Sequence, residues 1–225
     1  MSKEEVLGRI REALAVPSHP EVRDLAGNGI RDPREAQAFL PPGGDSFDER
    51  WGNFSRLAEK LKVEVLRVPD LAAATESLLQ LSRVSGWKKV ASHHHPLTDV
   101  AVPGLAPETV WTDDRPGVAA LESSDAGISG CEALIAQSGS VLVSSKGSGG
   151  RALSVLPPHH IVLATRDQLL GTLLDGYDLL RKKYPGGLPS FISFITGASR
   201  TGDIERILVL GAHGPKRLTI ILIDA

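Results

Sequence analysis

Two glycine-rich breaks near the C-terminal end carry the side chains best suited to chemistry. They span residues 197–202 and 211–217, and each follows an apolar run of β-forming residues. Polar loops at strand ends are where α/β proteins usually keep their sites. The side chains in these breaks that could hold an anion or move a proton are Ser199, Arg200, Thr201, His213 and Lys216. Together they predict a ligand site built from both loops.

The first break has the composition of an anion site. Ser199 and Thr201 offer hydroxyls, Arg200 offers a guanidinium, and a short helical turn after them would add backbone N–H groups. The alternative is structural, with Thr201 capping that turn and Arg200 paired with an acid. In the second break His213 is the candidate general acid or base, because imidazole titrates near neutral pH. Alternatively, His213 is only hydrogen-bonded inside a turn between two strands. Lys216 adds a further cation to the predicted ligand-binding set.

A third turn, Ser138-Gly139-Ser140, follows a predicted short helix over residues 131–136 and leads into a predicted strand over 140–145. Its hydroxyls and backbone suit contacts to an oxyanion or a phosphate. The alternative is an ordinary glycine cap with a serine turn. Arg151 comes after a flexible glycine- and serine-rich loop and could close over an anionic ligand. A solvated arginine is the alternative there.

The histidine and cysteine content argues against a metal centre. His93, His94 and His95 are consecutive, and neighbours on a strand point to opposite faces, so they cannot all bind one ion in the usual way. The single cysteine, Cys131, cannot form an intramolecular disulfide, a four-cysteine zinc site or an iron–sulfur cluster. We predict that Cys131 is a small core residue and that the chain holds no metal and no cofactor.

Composition excludes several classes of function. The chain has 225 residues, a formal net charge of −2 and only 4% aromatic residues, which argues against a nucleic-acid surface. No apolar run approaches the ~18 residues of a membrane span, so none is predicted. The acidic N-terminus does not look like a signal peptide, and we expect a cytoplasmic protein.

The pattern of elements predicts two parts. Residues 1–45 should form a helix to about Ala15 and then a proline- and glycine-rich arm. Pairing of that helix with a second subunit, and so a homo-oligomer, stays open beside packing on its own domain. Residues 46–225 alternate helices with apolar β-branched runs, which predicts an α/β domain with a mainly parallel sheet covered on both faces.

In that second part, Ser46 has capping-box spacing to Glu49 at the start of a helix. A further helix is predicted from Asp70 to about Val84. A leucine stripe from Leu169 onward predicts another helix. Strands are predicted at 62–68, 87–92, 109–112, 161–165, 191–196, 207–210 and 218–223.

Taken in order, the Ser138 turn, Arg151 with the segment 156–161, and the two glycine-rich breaks resemble the LUD domain, in the branch of lactate utilization protein C (LutC/YkgG). The resemblance covers roughly residues 46–225. The family usually has Thr-Gly-Thr where this chain has Ser138-Gly139-Ser140, which preserves the hydroxyls. It usually has Gly-Pro-Ser where this chain has Ala198 before Ser199, which loosens the loop without removing its donors.

The resemblance implies a NagB/RpiA/CoA-transferase-like fold, a three-layer α/β/α sandwich. It also implies a part in oxidising L-lactate to pyruvate beside two partners, LutA-like and LutB-like proteins. Iron–sulfur clusters are expected only in those partners, in keeping with the single cysteine here.

The leading hypothesis is therefore a LutC-like subunit with a pocket for an anionic small molecule. Ser199, Arg200 and Thr201 would hold the anion, and His213 would move a proton. The turn around Gly139 would line the opposite side, with Arg151 as a lid. Two alternatives stay open: a non-catalytic scaffold that docks the iron–sulfur partners, or a free-standing enzyme acting on a carboxylate, phosphate or CoA substrate. Whether the chain is itself an enzyme is left open.

Overall fold

The structure, a computed structural model, describes residues 3–15, 40–202 and 208–224. The chain divides into two units, residues 1–41 and 42–225. In the first unit, helix α1 spans Lys3–Ala15, where the sequence predicts a helix. Most of the predicted proline- and glycine-rich arm lies outside the described residues.

A six-stranded sheet forms the centre of the second unit, and all its neighbouring strands run parallel. Its strand order is β1-β12-β7-β4-β2-β3. The strands are β1 (Glu64–Val68), β2 (Lys89–Ser92), β3 (Glu108–Trp111), β4 (Ala126–Ser129), β7 (His159–Thr165) and β12 (Arg217–Ile223). The predicted mainly parallel sheet is confirmed.

Both faces of this sheet are buried, because successive residues of its central strands enter different cores. Ile161 and Leu163 of β7 pack towards helices α3 (Leu71–Ser85) and α4 (Thr98–Ala101). Val162 and Ala164 pack on the other face towards helix α2 (Phe47–Lys60). Apolar side chains on both faces are expected for a parallel sheet between two layers.

The layer on the α2 face of the central sheet also contains a second sheet, whose inner side chains share a core with α2. Its order is β8-β5-β6-β9, and its strands are β5 (Ala133–Ile135), β6 (Ser140–Ser144), β8 (Leu169–Leu170) and β9 (Ile192–Ile195). Helix α6 (Leu173–Lys183) packs Leu180 against the outer face of this sheet, beside Ile135 and Leu142. A short helix, α5 (Val118–Glu122), lies between β3 and β4.

This second sheet corrects three predictions. The helix over 131–136 is wrong, because Ala133–Ile135 pairs antiparallel with β6 as one side of a hairpin. The run 191–196 is a strand, but it pairs antiparallel with β6 and does not join the parallel sheet. The last helix begins at Leu173, capped by Thr172, because Leu169–Leu170 pairs with β5. In each case hydrogen bonding to a distant segment overrides a short apolar pattern.

The predicted starts of two helices agree with the structure, because they depend on local capping residues. Ser46 and Glu49 form the predicted capping box of α2. Asp70 caps α3 by accepting a hydrogen bond from the N–H of Ala73, and Gly86 ends that helix in the left-handed conformation, with φ 66°.

Two short strands near the C-terminus form an antiparallel pair outside the parallel sheet. Strand β10 (Arg200–Gly202) pairs antiparallel with β11 (Leu208–Leu210). Residues 200–202 are therefore extended, and the helical turn expected after Thr201 falls largely outside the described residues. The strand predicted at 207–210 belongs to this antiparallel pair and not to the parallel sheet.

Candidate functional site

The two predicted glycine-rich loops do come together. The N–H of Ser199 donates to the carbonyl of Pro215 (2.9 Å), and the N–H of Gly211 donates to the carbonyl of Ser199 (2.9 Å). The N–H of His213 donates to the Ser199 hydroxyl (3.3 Å). The Lys216 N–H donates to Pro158, just before β7, so this group lies at the amino ends of β7 and β12. Ligands of open α/β sheets usually bind at the opposite, carboxyl end.

The predicted turn at 138–140 packs against the second half of α2. The hydroxyl of Ser140 donates to Ser138 (2.8 Å) and is hydrogen-bonded to Thr196 (2.8 Å), close before Ser199 in the chain. Gly139 has φ 63°, and a Cβ there would lie 2.8 Å from Cβ of Leu57, so only glycine fits. These contacts suit a tight turn, and a ligand role for the turn stays a prediction.

Arg200 and Thr201 have backbone and packing partners of their own. The Arg200 guanidinium donates to the carbonyl of Leu61 at the end of α2. Thr201 pairs through its backbone with Val209, and its side chain lies outside the described part of the structure. Their role in binding an anion also stays a prediction.

Arg151 lies away from the Ser138 turn. Its guanidinium donates to the carbonyl of Ser190 (3.2 Å). Because β6 and β9 are antiparallel, Ser190 lies near the Ser144 end of β6, whereas the Ser138 turn is at the other end. The predicted residues therefore do not all share one end of the second sheet.

The topology of the parallel sheet indicates a different location for a ligand site, away from the predicted loops. β2 is connected to β3 on one side, whereas β4 leads to β7 on the other, and β2 and β4 are neighbours. Strands whose connections diverge in this way leave a crevice at their carboxyl ends, the preferred ligand position in open α/β sheets. The residues that follow β2 and β4 are His93 and Gly130.

A cleft of about 310 Å³ opens beside this switch point. Three segments line it: the residues after β2, those after β3, and the loop after β6. The lining residues are His93, His94, Thr112, Asp113, Arg115, Ser145, Lys146, Gly149 and Gly150. We call it the switch-point cleft. Arg151 follows directly on its glycines, so this one predicted residue lies next to it.

The switch-point cleft contains cations without acidic partners. Within the described ranges, neither Arg115 nor Lys146 has an ion pair or a side-chain hydrogen bond. Lys146 lies only over the ring of Tyr184, with Nζ 5.3 Å from its centroid. Arg115 adopts φ 54°, which is uncommon for a residue with a side chain. Such conformations cluster at functional sites.

The glycines of the cleft add backbone donors. Gly149 has φ 76° and Gly150 has φ 90°. The N–H groups of both glycines are unpaired among the residues described here. A Cβ at position 149 would lie 2.9 Å from Cβ of His93, so only a glycine there lets the loop come this close to His93. Unpaired N–H groups beside two cations suit an anion.

The consecutive histidines have different environments. His93 is buried, and its Nε2 accepts a hydrogen bond from the N–H of Gly130 (3.1 Å). Burial lowers the pKa of His93 to about 4, so this imidazole is neutral at physiological pH. His94 is exposed and stacks on Trp111, and a hydrogen bond with Asp99 (2.7 Å) raises its pKa.

A buried carboxylate holds the loop after β6 in place. The side chain of Glu132 is fully buried and accepts hydrogen bonds from the hydroxyl of Ser144, from Tyr184 (2.7 Å) and from Lys183 (2.7 Å). The Ser144 hydroxyl in turn accepts the N–H groups of Lys146 (3.3 Å) and Gly147 (3.0 Å). Glu132 therefore fixes the loop that carries Lys146.

Sequence reasoning missed most of this cleft. The sequence suggests His93 only as a metal ligand, although its place just after a predicted strand is a usable signal for a ligand site. Arg115 and Glu132 carry no local signal, because their importance depends on residues far away in the chain. Cys131 is buried in the core, as predicted, and burial raises the pKa of its thiol.

Two other classes of site are absent from the described ranges. No group of three or more histidine, cysteine, aspartate or glutamate residues there could hold a metal ion. Of the helices described, none is long and apolar enough to cross a membrane.

Comparison with known proteins identifies similar sequences. The LUD domain family matches residues 114–223. Lactate utilization protein C of Deinococcus radiodurans is 34% identical over 47% of this chain and 49% of its own length. That of Anoxybacillus flavithermus is also 34% identical, over 51% of each chain. The chain thus spans about half the length of these two relatives.

A longer alignment and a structural likeness extend these matches. Lactate utilization protein C of Bacillus licheniformis is 30% identical over 99% of this chain and 96% of its own length. The crystal structure of a DUF162 family protein from Deinococcus radiodurans has a TM-score of 0.60 and 20% identity, covering 80% of this chain and 99% of that one. At this identity the likeness supports the fold alone.

Proposed function

The chain belongs to the LUD-domain family, in the branch of lactate utilization protein C, and we propose that it binds a small organic anion in the switch-point cleft as one component of a system that oxidises L-lactate to pyruvate. The membership rests on the alignment over 99% of the chain. The location of the anion rests on the geometry of the cleft.

The observation that carries the proposal is the pair of cations, Arg115 and Lys146, that line the cleft without an acidic partner in the described structure. A guanidinium and an ammonium at the carboxyl end of a parallel sheet attract a carboxylate or a phosphate. The unpaired N–H groups of Gly149 and Gly150 would donate hydrogen bonds to the oxygens of the bound anion. A cavity of about 310 Å³ suits a small molecule.

The partners belong to the same proposal. Oxidation of lactate to pyruvate releases two electrons, and a chain with one cysteine cannot ligate an iron–sulfur cluster by itself. We therefore propose that LutA-like and LutB-like proteins in the cytoplasm receive the electrons, and that this chain contributes the anion site.

A binding experiment tests the site. Titration calorimetry with pyruvate and with L-lactate should show that Arg115→Gln weakens binding about tenfold or more, since a hydrogen bond between charged groups contributes about 1.5–3 kcal/mol. Arg83→Gln is the matched control, because Arg83 is exposed near the end of α3. Equal affinities for both variants would rule out the cleft as the anion site.

A growth experiment tests the role in the system. Bacteria that lack their own lactate utilization protein C should grow on L-lactate with the unchanged chain or with Arg83→Gln, but poorly with Arg115→Gln. Full growth with Arg115→Gln, while loss of the whole chain abolishes growth, would favour the scaffold hypothesis.

A further inference from the structure

The hydrogen bond from Gly130 fixes which nitrogen of His93 carries the proton. The N–H of Gly130 donates to Nε2 of His93 (3.1 Å), so Nε2 must offer its lone pair. In a neutral imidazole the proton is then on Nδ1. His93 is therefore a hydrogen-bond donor at Nδ1 and has no acceptor left to offer.

The Nδ1–H group has no partner in the described part of the protein, and it is not sealed from the cleft. Three buried side-chain atoms in those ranges lack a partner, namely Ser154 Oγ, His159 Nδ1 and His160 Nδ1. Nδ1 of His93 is not among them. Because His93 lines the switch-point cleft, the missing acceptor is to be sought in a bound ligand.

The surroundings keep this donor uncharged. Burial is the main cause of the low pKa of His93, followed by repulsion from His95, and both outweigh the opposing effect of Asp113. The other charged or titratable groups acting on His93 are His94, Asp99 and His160. The two cations hold the carboxylate of the ligand, which leaves the neutral N–H of His93 for an oxygen next to that carboxylate.

We infer that His93 determines specificity in the cleft by donating Nδ1–H to an uncharged oxygen next to the ligand's carboxylate, so that the cleft selects 2-oxo and 2-hydroxy acids over simple carboxylic acids. This inference rests on the proposed anion site. Arg115 and Lys146 hold the carboxylate in either kind of acid. A simple acid bound in the cleft would cover the Nδ1–H of His93 without accepting its hydrogen bond, and a donor that is cut off from water and has no partner is costly.

Pyruvate and propionate are the probes, because propionate lacks only the 2-oxo oxygen. The unchanged protein should bind pyruvate about tenfold more tightly than propionate, the scale of one satisfied hydrogen bond. His93→Gln places an amide oxygen where Nε2 accepts from Gly130 and removes the donor at the δ position. It should bind the two probes with equal affinity, because the donor that distinguishes them is gone. His93→Asn offers an amide N–H near the δ position and should restore part of the preference.

The outcomes separate this inference from the proposed function. Suppose that Arg115→Gln weakens the binding of both probes, but the unchanged protein binds pyruvate and propionate with equal affinity. The role of His93 is then wrong and the anion site stands. If Arg115→Gln binds both probes normally, the anion site itself is wrong.

Two further results would overturn the role of His93. One is a preference for pyruvate that survives in His93→Gln. The other is a preference that titrates near pH 6.5, which would indicate a charged imidazole. A preference that stays constant from pH 5.5 to 8 is the expected result.

Discussion

Replacing Lys183 by methionine tests the hydrogen-bond network around the buried Glu132 carboxylate. The Glu132 side chain is completely buried, and Lys183 is its only cationic hydrogen-bond partner in the described structure. Methionine keeps most of the aliphatic stem but removes the ammonium group. The carboxylate then keeps only the hydroxyls of Ser144 and Tyr184.

The expected loss follows from the burial of the two partners. Breaking a fully buried pair costs about 3–5 kcal/mol, and one hydrogen bond to a charged group contributes about 1.5–3 kcal/mol. The Lys183 side chain is 50% exposed, so solvent screens part of the attraction. We therefore expect Lys183→Met to lower the free energy of unfolding by about 2 kcal/mol at pH 7. For a chain of this length that corresponds to a Tm lower by about 4–8 °C.

The loss should depend on pH. Burial alone would raise the pKa of Glu132, but the hydrogen bonds from Lys183, Ser144 and Tyr184 lower it below the ordinary value of 4.5. A carboxyl whose pKa is lowered by folding stabilises the protein above its unfolded pKa and ceases to do so as the pH falls through the folded pKa. The difference between the variant and the unchanged protein should therefore be complete at pH 7 and shrink below about pH 4.5.

Urea denaturation followed by circular dichroism at pH 7 and at pH 4 measures both effects. Lys182→Met is the matched control, because Lys182 is exposed on the same helix and has no partner among the described residues. If Lys183→Met and Lys182→Met unfold at the same urea concentration, the pair contributes nothing to stability. A loss that is equally large at both pH values would contradict the electrostatic explanation.

Two further predictions concern backbone fit and buried imidazole. Gly139→Ala should destabilise the protein by about 1–3 kcal/mol in urea denaturation, since φ 63° and the nearby Leu57 exclude a Cβ. Gly52→Ala, with open space in helix α2, should instead stabilise it by about 0.5–1 kcal/mol, and equal effects would contradict the packing argument. His160 is buried, and its Nε2 is hydrogen-bonded to Ser129 (2.9 Å). Burial lowers the pKa of this imidazole to about 3. Because the unfolded chain takes up a proton at His160 near pH 6.5, the folded protein should lose stability as the pH falls below that value. Between about pH 6 and 4, His160→Gln should reduce the pH slope of the unfolding free energy by about 1.4 kcal/mol per pH unit, and an unchanged slope would contradict this assignment.

Short-range signals predicted much of the fold. The capping box at Ser46 and the aspartate cap at Asp70 depend only on residues three positions apart, so they can be read without knowing the fold. The apolar runs of β7 and β12 similarly predict buried parallel strands. The run 133–135 failed because three apolar residues suit either a helix or a strand, and pairing with β6 decides between them.

The predicted site was recovered only in part. Ser199 and the loop at 211–216 meet as expected. They flank the same end of the β10–β11 pair, in which Arg200 lies opposite Leu210. The sequence did not indicate that this is the amino end of β12. It also gave no reason to group Arg115 with Lys146, since the two meet only through the arrangement of β3 and β6.

The sequence by itself determined the α/β class, the family, the main helix starts and the lack of cysteines for a cluster. These are properties of composition, short spacing and motif order. Tertiary structure alone decided that β2 and β4 are neighbours, that His93 is buried at the edge of a cleft with a lowered pKa, and that Glu132 is buried with Lys183 as its partner. Strand order and burial depend on contacts between distant segments, and the charge state of a side chain depends on that burial.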